Sequence, residues 1–174
     1  MLSLSSLAGW EDAVLASIAG TSGTLEERDR QIERSGMFGE YPAIVRAYAE
    51  HFRDAETAGE AVKRAIFLVW YGAMEPPALT GIAMLPDGTV REVIDALDAR
   101  SAQVPADDEL GWMLAWYHAR SPYLLELYGA TPALLRLVES RDADDWRRAG
   151  ITREGMALRG QMGRYWLSLA TREP

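Results

Sequence analysis

Apolar residues recur along this chain at intervals of three and four, the spacing of one face of an α-helix, and strand-like alternation is nearly absent. One stretch breaks that rhythm: residues 65–74, AIFLVWYGAM, are apolar without interruption. Read as a helix from about residue 57, it carries Ala61, Val62, Ala65, Ile66, Val69 and Ala73 on one face and Phe67, Leu68, Trp70, Tyr71 and Met74 on the others. A helix apolar on every side belongs inside a fold. Its lead-in is charged, with Glu60 four residues before Arg64 in the favourable order for a helical ion pair. The expectation is a helix that enters from the surface and ends in the core. Pro76 and Pro77 stop it, because each lacks an amide hydrogen and pushes the residue before it out of helical geometry.

A second apolar helix is predicted over 109–120, ELGWMLAWYHAR, capped by Asp107 or Asp108 at the positive end of its dipole. Leu110, Met113, Leu114 and Tyr117 point inward by spacing, and Trp112 and Trp116 lie one turn apart on a neighbouring stripe.

Other helices are announced by caps and shorter stripes. Leu7, Trp10, Val14 and Ile18 share a face, with Ser6 at the start and Gly20 at a left-handed stop. Thr24 and Glu27 form a capping box for a helix to about Arg34, anchored only by Leu25 and Ile32. Pro42 opens a third helix with Ile44, Val45, Tyr48 and Phe52 buried. Residues 76–88 read as an apolar loop laid across the core, followed by a helix boxed by Thr89 and Glu92 with Val90, Val93, Ile94 and Leu97 inside. Short helices start at Ser121-Pro122, at Thr131-Pro132 and at Asp142 to Asp145, the last anchored by Trp146. The final helix runs from Thr152 to about Ala170, with Leu158, Met162, Tyr165 and Leu169 on one face. Gly155, Gly160 and Gly163 weaken it by roughly 1 kcal/mol each unless close backbone packing, on the central helix or a subunit contact, offsets the loss.

These elements describe an all-α fold: residues 1–174 as a single-domain irregular bundle of about seven to nine helices around two buried apolar helices. At 48% hydrophobic residues the chain is able to bury one substantial core. Cysteine is absent, which removes disulfides, thiol nucleophiles and cysteine metal sites and fits a reducing cytoplasm. The N-terminus has no basic segment and places Glu11 and Asp12 within its apolar stretch, unlike a signal peptide. The longest apolar run is too short for a membrane span. A soluble cytoplasmic protein is expected. Arginine in place of lysine, with an alanine excess, points to a GC-rich bacterial genome.

Net charge is −8, with the acids concentrated in the first third, and this opposes binding to nucleic acid or anionic lipid. The arginines at 136, 141, 147, 148, 153, 159 and 164 are diluted by nearby acids. Phosphate-binding glycine loops, HExxH, paired Glu-x-x-His and GxSxG motifs are all missing, so no catalytic residue, metal ligand or cofactor is assigned. His51, without a second histidine at helical spacing, reads as a surface or boundary residue. Glu75 draws attention because it follows the central helix, at the negative end of its dipole and among aromatic neighbours. Antiparallel packing of the two apolar helices places His118 near it. The candidate ligand-binding set is therefore Trp70, Tyr71, Glu75, Trp112, Trp116 and His118. The leading functional expectation is a non-enzymatic protein acting through contact with a protein partner, as an adaptor, inhibitor or immunity-type protein. The alternative is a small-molecule-binding or enzymatic domain using that aromatic pocket, and a third reading closes a homodimer over the aromatic surplus.

Overall fold

The computed structural model describes residues 1–103 and 107–172, with side chains for 1–100 and 107–172. The described residues form eleven α-helices: α1 (Leu4–Ala19), α2 (Leu25–Arg34), α3 (Glu40–Ala49), α4 (Ala58–Met74), α5 (Pro77–Thr80), α6 (Asp87–Gln103), α7 (Asp108–Arg120), α8 (Tyr123–Leu127), α9 (Pro132–Glu139), α10 (Arg153–Met156) and α11 (Gly160–Arg172). Short 3-10 turns at Met37–Gly39 and Asp145–Arg148 precede α3 and follow α9. The fold is all-α, and one hydrophobic cluster extends from Leu7 of α1 to Trp166 of α11. Among the described residues no helix is long and apolar enough to cross a membrane.

The central helix is α4, packed against α3, α5, α6 and α11. Every residue from Ala61 to Trp70 is buried. The expected direction of entry is reversed, however. The charged beginning of α4 is inside, with Lys63 and Arg64 only 7% and 6% exposed, whereas Met74 and Glu75 at its end face solvent. Buried charge is tolerated only where partners replace water; here acids distant in sequence supply them for Lys63, and Glu60 with the Leu4 carbonyl supplies them for Arg64.

Those partners form one ion cluster. Lys63 Nζ contacts Asp107 Oδ2 at 2.6 Å and Glu109 Oε2 at 2.7 Å. Arg64 Nε donates to Glu60 Oε1 at 2.7 Å, and its Nη1 donates to the Leu4 carbonyl. Arg159 donates to both oxygens of Glu60, at 2.7 and 2.5 Å, and to Glu109 Oε1 at 2.5 Å. Burial works against the charge of Glu109, but the hydrogen bonds from Arg159 and Lys63 more than offset it and hold its pKa down at about 2. The cluster ties the first turns of α4 and α7 together. Farther along, Trp70 stacks on Tyr117 with ring centroids 4.6 Å apart. The two helices therefore run in the same direction, correcting the antiparallel arrangement expected from the sequence.

The final helix is also broken where continuity is expected. Leu158 at φ 60° and Gly160 at φ 58° turn the chain between α10 and α11, and Arg159 between them is swung into the ion cluster. A Cβ at Gly160 would collide with the Glu11 carboxylate, and one at Gly163 with the Met156 carbonyl. Gly160 and Gly163 thus serve this corner. The break resets the helical phase: Leu158, assigned to the inner face, is 72% exposed, and Trp166, absent from the predicted stripe, is fully buried.

Glu11 of α1 lies beneath the same corner and is 1% exposed. Its carboxylate accepts from the Tyr48 hydroxyl at 2.6 Å and from the Gln161 backbone N–H at 2.8 Å. Desolvation raises its pKa to about 7 despite those two hydrogen bonds and the attraction of Arg64, with Asp12 adding to the rise. Gln161 donates in turn to the Tyr41 hydroxyl and the Thr80 carbonyl, so α1, α3, α5 and α11 share one buried polar network.

Smaller differences have local causes. The cap of α1 is Ser3, not Ser6, and Gly20 ends the helix in right-handed geometry. The Thr24 and Glu27 capping box is present, but Leu25 is 48% exposed and Ile32 alone anchors α2. Helix α6 begins at Asp87, ahead of the expected Thr89 box, because the Pro86 carbonyl accepts from Thr89 and Val90 and extends the first turn. His51 is 2% exposed rather than superficial: its Nε2 bonds the Leu2 carbonyl and its Nδ1 the Thr57 hydroxyl, so the N-terminal segment covers it.

A carboxyl whose folded pKa is raised contributes stability that is full below its unfolded pKa and is lost as pH rises through the folded value. Glu11, shifted from 4.5 to about 7, should cost the wild type about 3 kcal/mol of unfolding free energy between those pH values. Urea melts across that window should show this slope, and Glu11→Gln should remove it; equal slopes would place the titration elsewhere. At Leu158, held at φ 60° and exposed, replacement by glycine should raise stability by up to about 1 kcal/mol, since the left-handed conformation is costly for leucine. A drop in melting temperature would contradict strain at this position.

Candidate functional site

The six residues singled out from the sequence do not form one pocket. Trp70, Trp112 and Trp116 are buried, Tyr71 and His118 are half-buried, and Glu75 is exposed. What the fold brings together is a continuous stack of rings from α4, α7 and α11. Tyr71 stacks on Phe67 at 4.9 Å, Trp70 on Tyr117 at 4.6 Å, and Trp166 meets Trp112 edge-on at 4.5 Å. Trp116 and Trp146 complete the stack beside Trp166, and Trp116 Nε1 donates to the Tyr165 hydroxyl at 2.8 Å. Face and edge contacts of this kind add to the area that the rings bury. The stack is the core itself.

His118 lines a small chamber bounded by Ile66, Trp70, Leu114, Ser121 and Leu124. Trp70 Nε1, His118 Nδ1 and Ser121 Oγ are buried there without a protein hydrogen-bond partner. The chamber measures about 10 Å³, the size of one water molecule, and Glu75 does not line it.

A larger opening lies at the other end of α7. The start of that helix, the 145–152 turn and α10 enclose a cleft of about 560 Å³. Its floor is the outer side of the ion cluster, Glu109 and Arg159, with Trp112 and Met156 beside them. Arg141 forms one wall and contacts Asp108 Oδ1 through Nη1 at 3.1 Å and Nη2 at 3.2 Å. Asp145 forms another and accepts from Arg148 at 3.1 Å. Of these residues only Trp112 belongs to the set expected from the sequence. Asp108 and the arginines at 141, 148 and 159 are visible in the sequence as charges, but their convergence depends on the α10–α11 corner. Among the described residues no group of three or more histidine, aspartate or glutamate side chains is placed to hold a metal ion.

The remaining surface feature is apolar. Met74, Leu79 and Met84, which follow the buried part of α4, are 39%, 48% and 91% exposed. On α8, Tyr123 and Leu127 are 57% and 65% exposed, one turn apart, while Leu124 and Leu125 face the core. At the end of α8 the Tyr128 hydroxyl donates to Asp87, three residues beyond Met84, at 3.4 Å. The stretch 76–88, expected as an apolar loop, contains α5 and is only half the lid expected: Ile82 and Leu85 are buried, whereas Met84 and Leu79 project outward. The acids beside this rim, Glu75, Asp87 and Glu126, are exposed.

Compared with known proteins, the chain matches no family model, no curated protein and no solved structure.

The ring stack yields a direct test. Tyr165→Phe leaves the Trp116 indole without its acceptor and should lower stability by about 1–2 kcal/mol in urea unfolding, with the fold unchanged by far-ultraviolet circular dichroism. An unchanged midpoint would mean that this hydrogen bond contributes nothing.

Proposed function

We propose that the chain acts through contact with a protein partner of basic surface, using the apolar rim at the end of α4 and on α8. The observation that carries this reading is the exposure of Met74, Leu79 and Met84 after the buried part of α4 and of Tyr123 and Leu127 on α8, with Tyr128 hydrogen-bonded to Asp87 between the two segments. Methionine is a residue of adaptable contact surfaces, and apolar side chains exposed together mark interaction sites more often than chance exposure does. The acids at the rim and the net charge of −8 favour a cationic partner and disfavour a second copy of the same chain. Adaptor, inhibitor and immunity-type roles share this mode of action, and a reducing compartment suits a chain without cysteine. The charges of the central cluster are already engaged with one another, which supports a scaffold that presents a surface.

The test compares wild type with Met84→Asp and Leu127→Asp. A partner isolated with the wild type and then purified should be basic, should bind less tightly at higher salt, and should lose at least about tenfold in affinity to either variant. A partner that binds both variants as well as the wild type, or a wild type that forms a stable homodimer through the rim, would contradict the proposal.

A further inference from the structure

We infer that the cleft beside α7 binds a small zwitterion bearing an apolar group, the chemistry of a free hydrophobic amino acid or a dipeptide. The cleft walls hold one inner cation and one inner anion, and each is paired with an outer group that solvent reaches freely. Arg141 is the inner cation: its side chain is 26% exposed, and its Asp108 partner is 90% exposed. Asp145 is the inner anion: its side chain is 28% exposed, and its Arg148 partner is 80% exposed. Ion pairs with one member in open water contribute little, so a ligand that replaces the outer member gives up almost nothing. A carboxylate in place of Asp108 and an ammonium in place of Arg148 would satisfy both inner groups at once.

The position of Arg141 is built into the fold. Its guanidinium lies directly against Gly111 of α7, where a Cβ would come within 3.0 Å of the guanidinium carbon. Glycine within a helix is unfavourable by itself, and in the first turn of α7 it lets the arginine lie along the helix. The floor does not compete for ligand charge, because Arg159 and Glu109 are hydrogen-bonded to each other and to Glu60 and Lys63. Trp112, Ile151 and Met156 supply the apolar wall. Three arginines and three carboxylates line the cleft, so its net charge is zero, and it has no overall preference for an anion or a cation. It favours a molecule carrying both charges. At about 560 Å³ its size is within the range of small-molecule sites.

Calorimetric titration of the full chain with L-phenylalanine and L-leucyl-L-leucine tests this, against 3-phenylpropionate, which lacks the ammonium, and 2-phenylethylamine, which lacks the carboxylate. At least one zwitterion should bind saturably and at least about tenfold more tightly than both single-charge compounds. Arg141→Gln and Asp145→Asn should each weaken it about tenfold, whereas Asp108→Asn, which removes the outer competitor, should leave binding equal or tighter. Circular dichroism melts of the three variants separate lost binding from lost folding. Failure of both zwitterions to saturate by about 20 mM, equal binding of a single-charge compound, or weakening by Asp108→Asn comparable to that of Arg141→Gln would overturn the inference.

Discussion

The structure depends on the clamp that Arg159 makes between Glu60 and Glu109. Three cations less than a tenth exposed stand among carboxylates from two helices that are far apart in sequence. Removing one partner from such a group leaves an uncompensated buried charge, whereas the intact group roughly offsets its own desolvation. Its contribution is therefore to specificity of arrangement more than to net stability. With Lys63 fixed at Asp107 and Glu109, α4 and α7 start together and run in the same direction, and their rings meet in register. The clamp also requires an arginine where a continuous helix would not deliver one, and the left-handed residues at 158 and 160 provide that turn.

Two consequences spread from the same corner. On its inner side Gly160 makes room for Glu11, which joins α1 and α3 to the start of α11 through Tyr48 and Gln161. On its outer side the turn spaces α10 from the start of α7 and leaves the charged cleft open. Core, cleft and rim are thus parts of one layout: the ion cluster closes one end of the ring stack, and the apolar rim lies at the other, where α4 and α8 reach solvent.

Much of this was legible in the sequence because helices are encoded locally. The uninterrupted run from Ala65, the stripe of Val90, Val93, Ile94 and Leu97, the Thr24 capping box and the acidic cap at Asp107 or Asp108 each state their own role within a few residues. What was not legible depends on pairs separated by many residues. Lys63 and Arg64 look like a solvated lead-in until Asp107 and Glu109 are known to meet Lys63, and the Leu4 carbonyl to join Glu60 on Arg64. Glu11 looks like a surface acid until Tyr48 and Gln161 are seen above it. The glycines of the last helix signalled a close approach, yet nothing local distinguished a packed helix from a corner. Glu75 drew attention by its place in the chain, and its exposure follows from the reversed entry of α4. The candidate site was legible only through Trp112, because cleft walls assembled from α7, the 145–152 turn and α10 have no contiguous signature.

The most direct measurement is a double-mutant cycle on Arg159→Met and Glu109→Met, read by urea unfolding. Each single variant leaves part of the cluster unpaired and should lose about 3–5 kcal/mol. The double variant removes both charges and should lose less than the sum by at least about 2 kcal/mol. Losses that add to within about 0.5 kcal/mol would show that the two side chains act independently, and the clamp would not be the constraint on which the architecture rests.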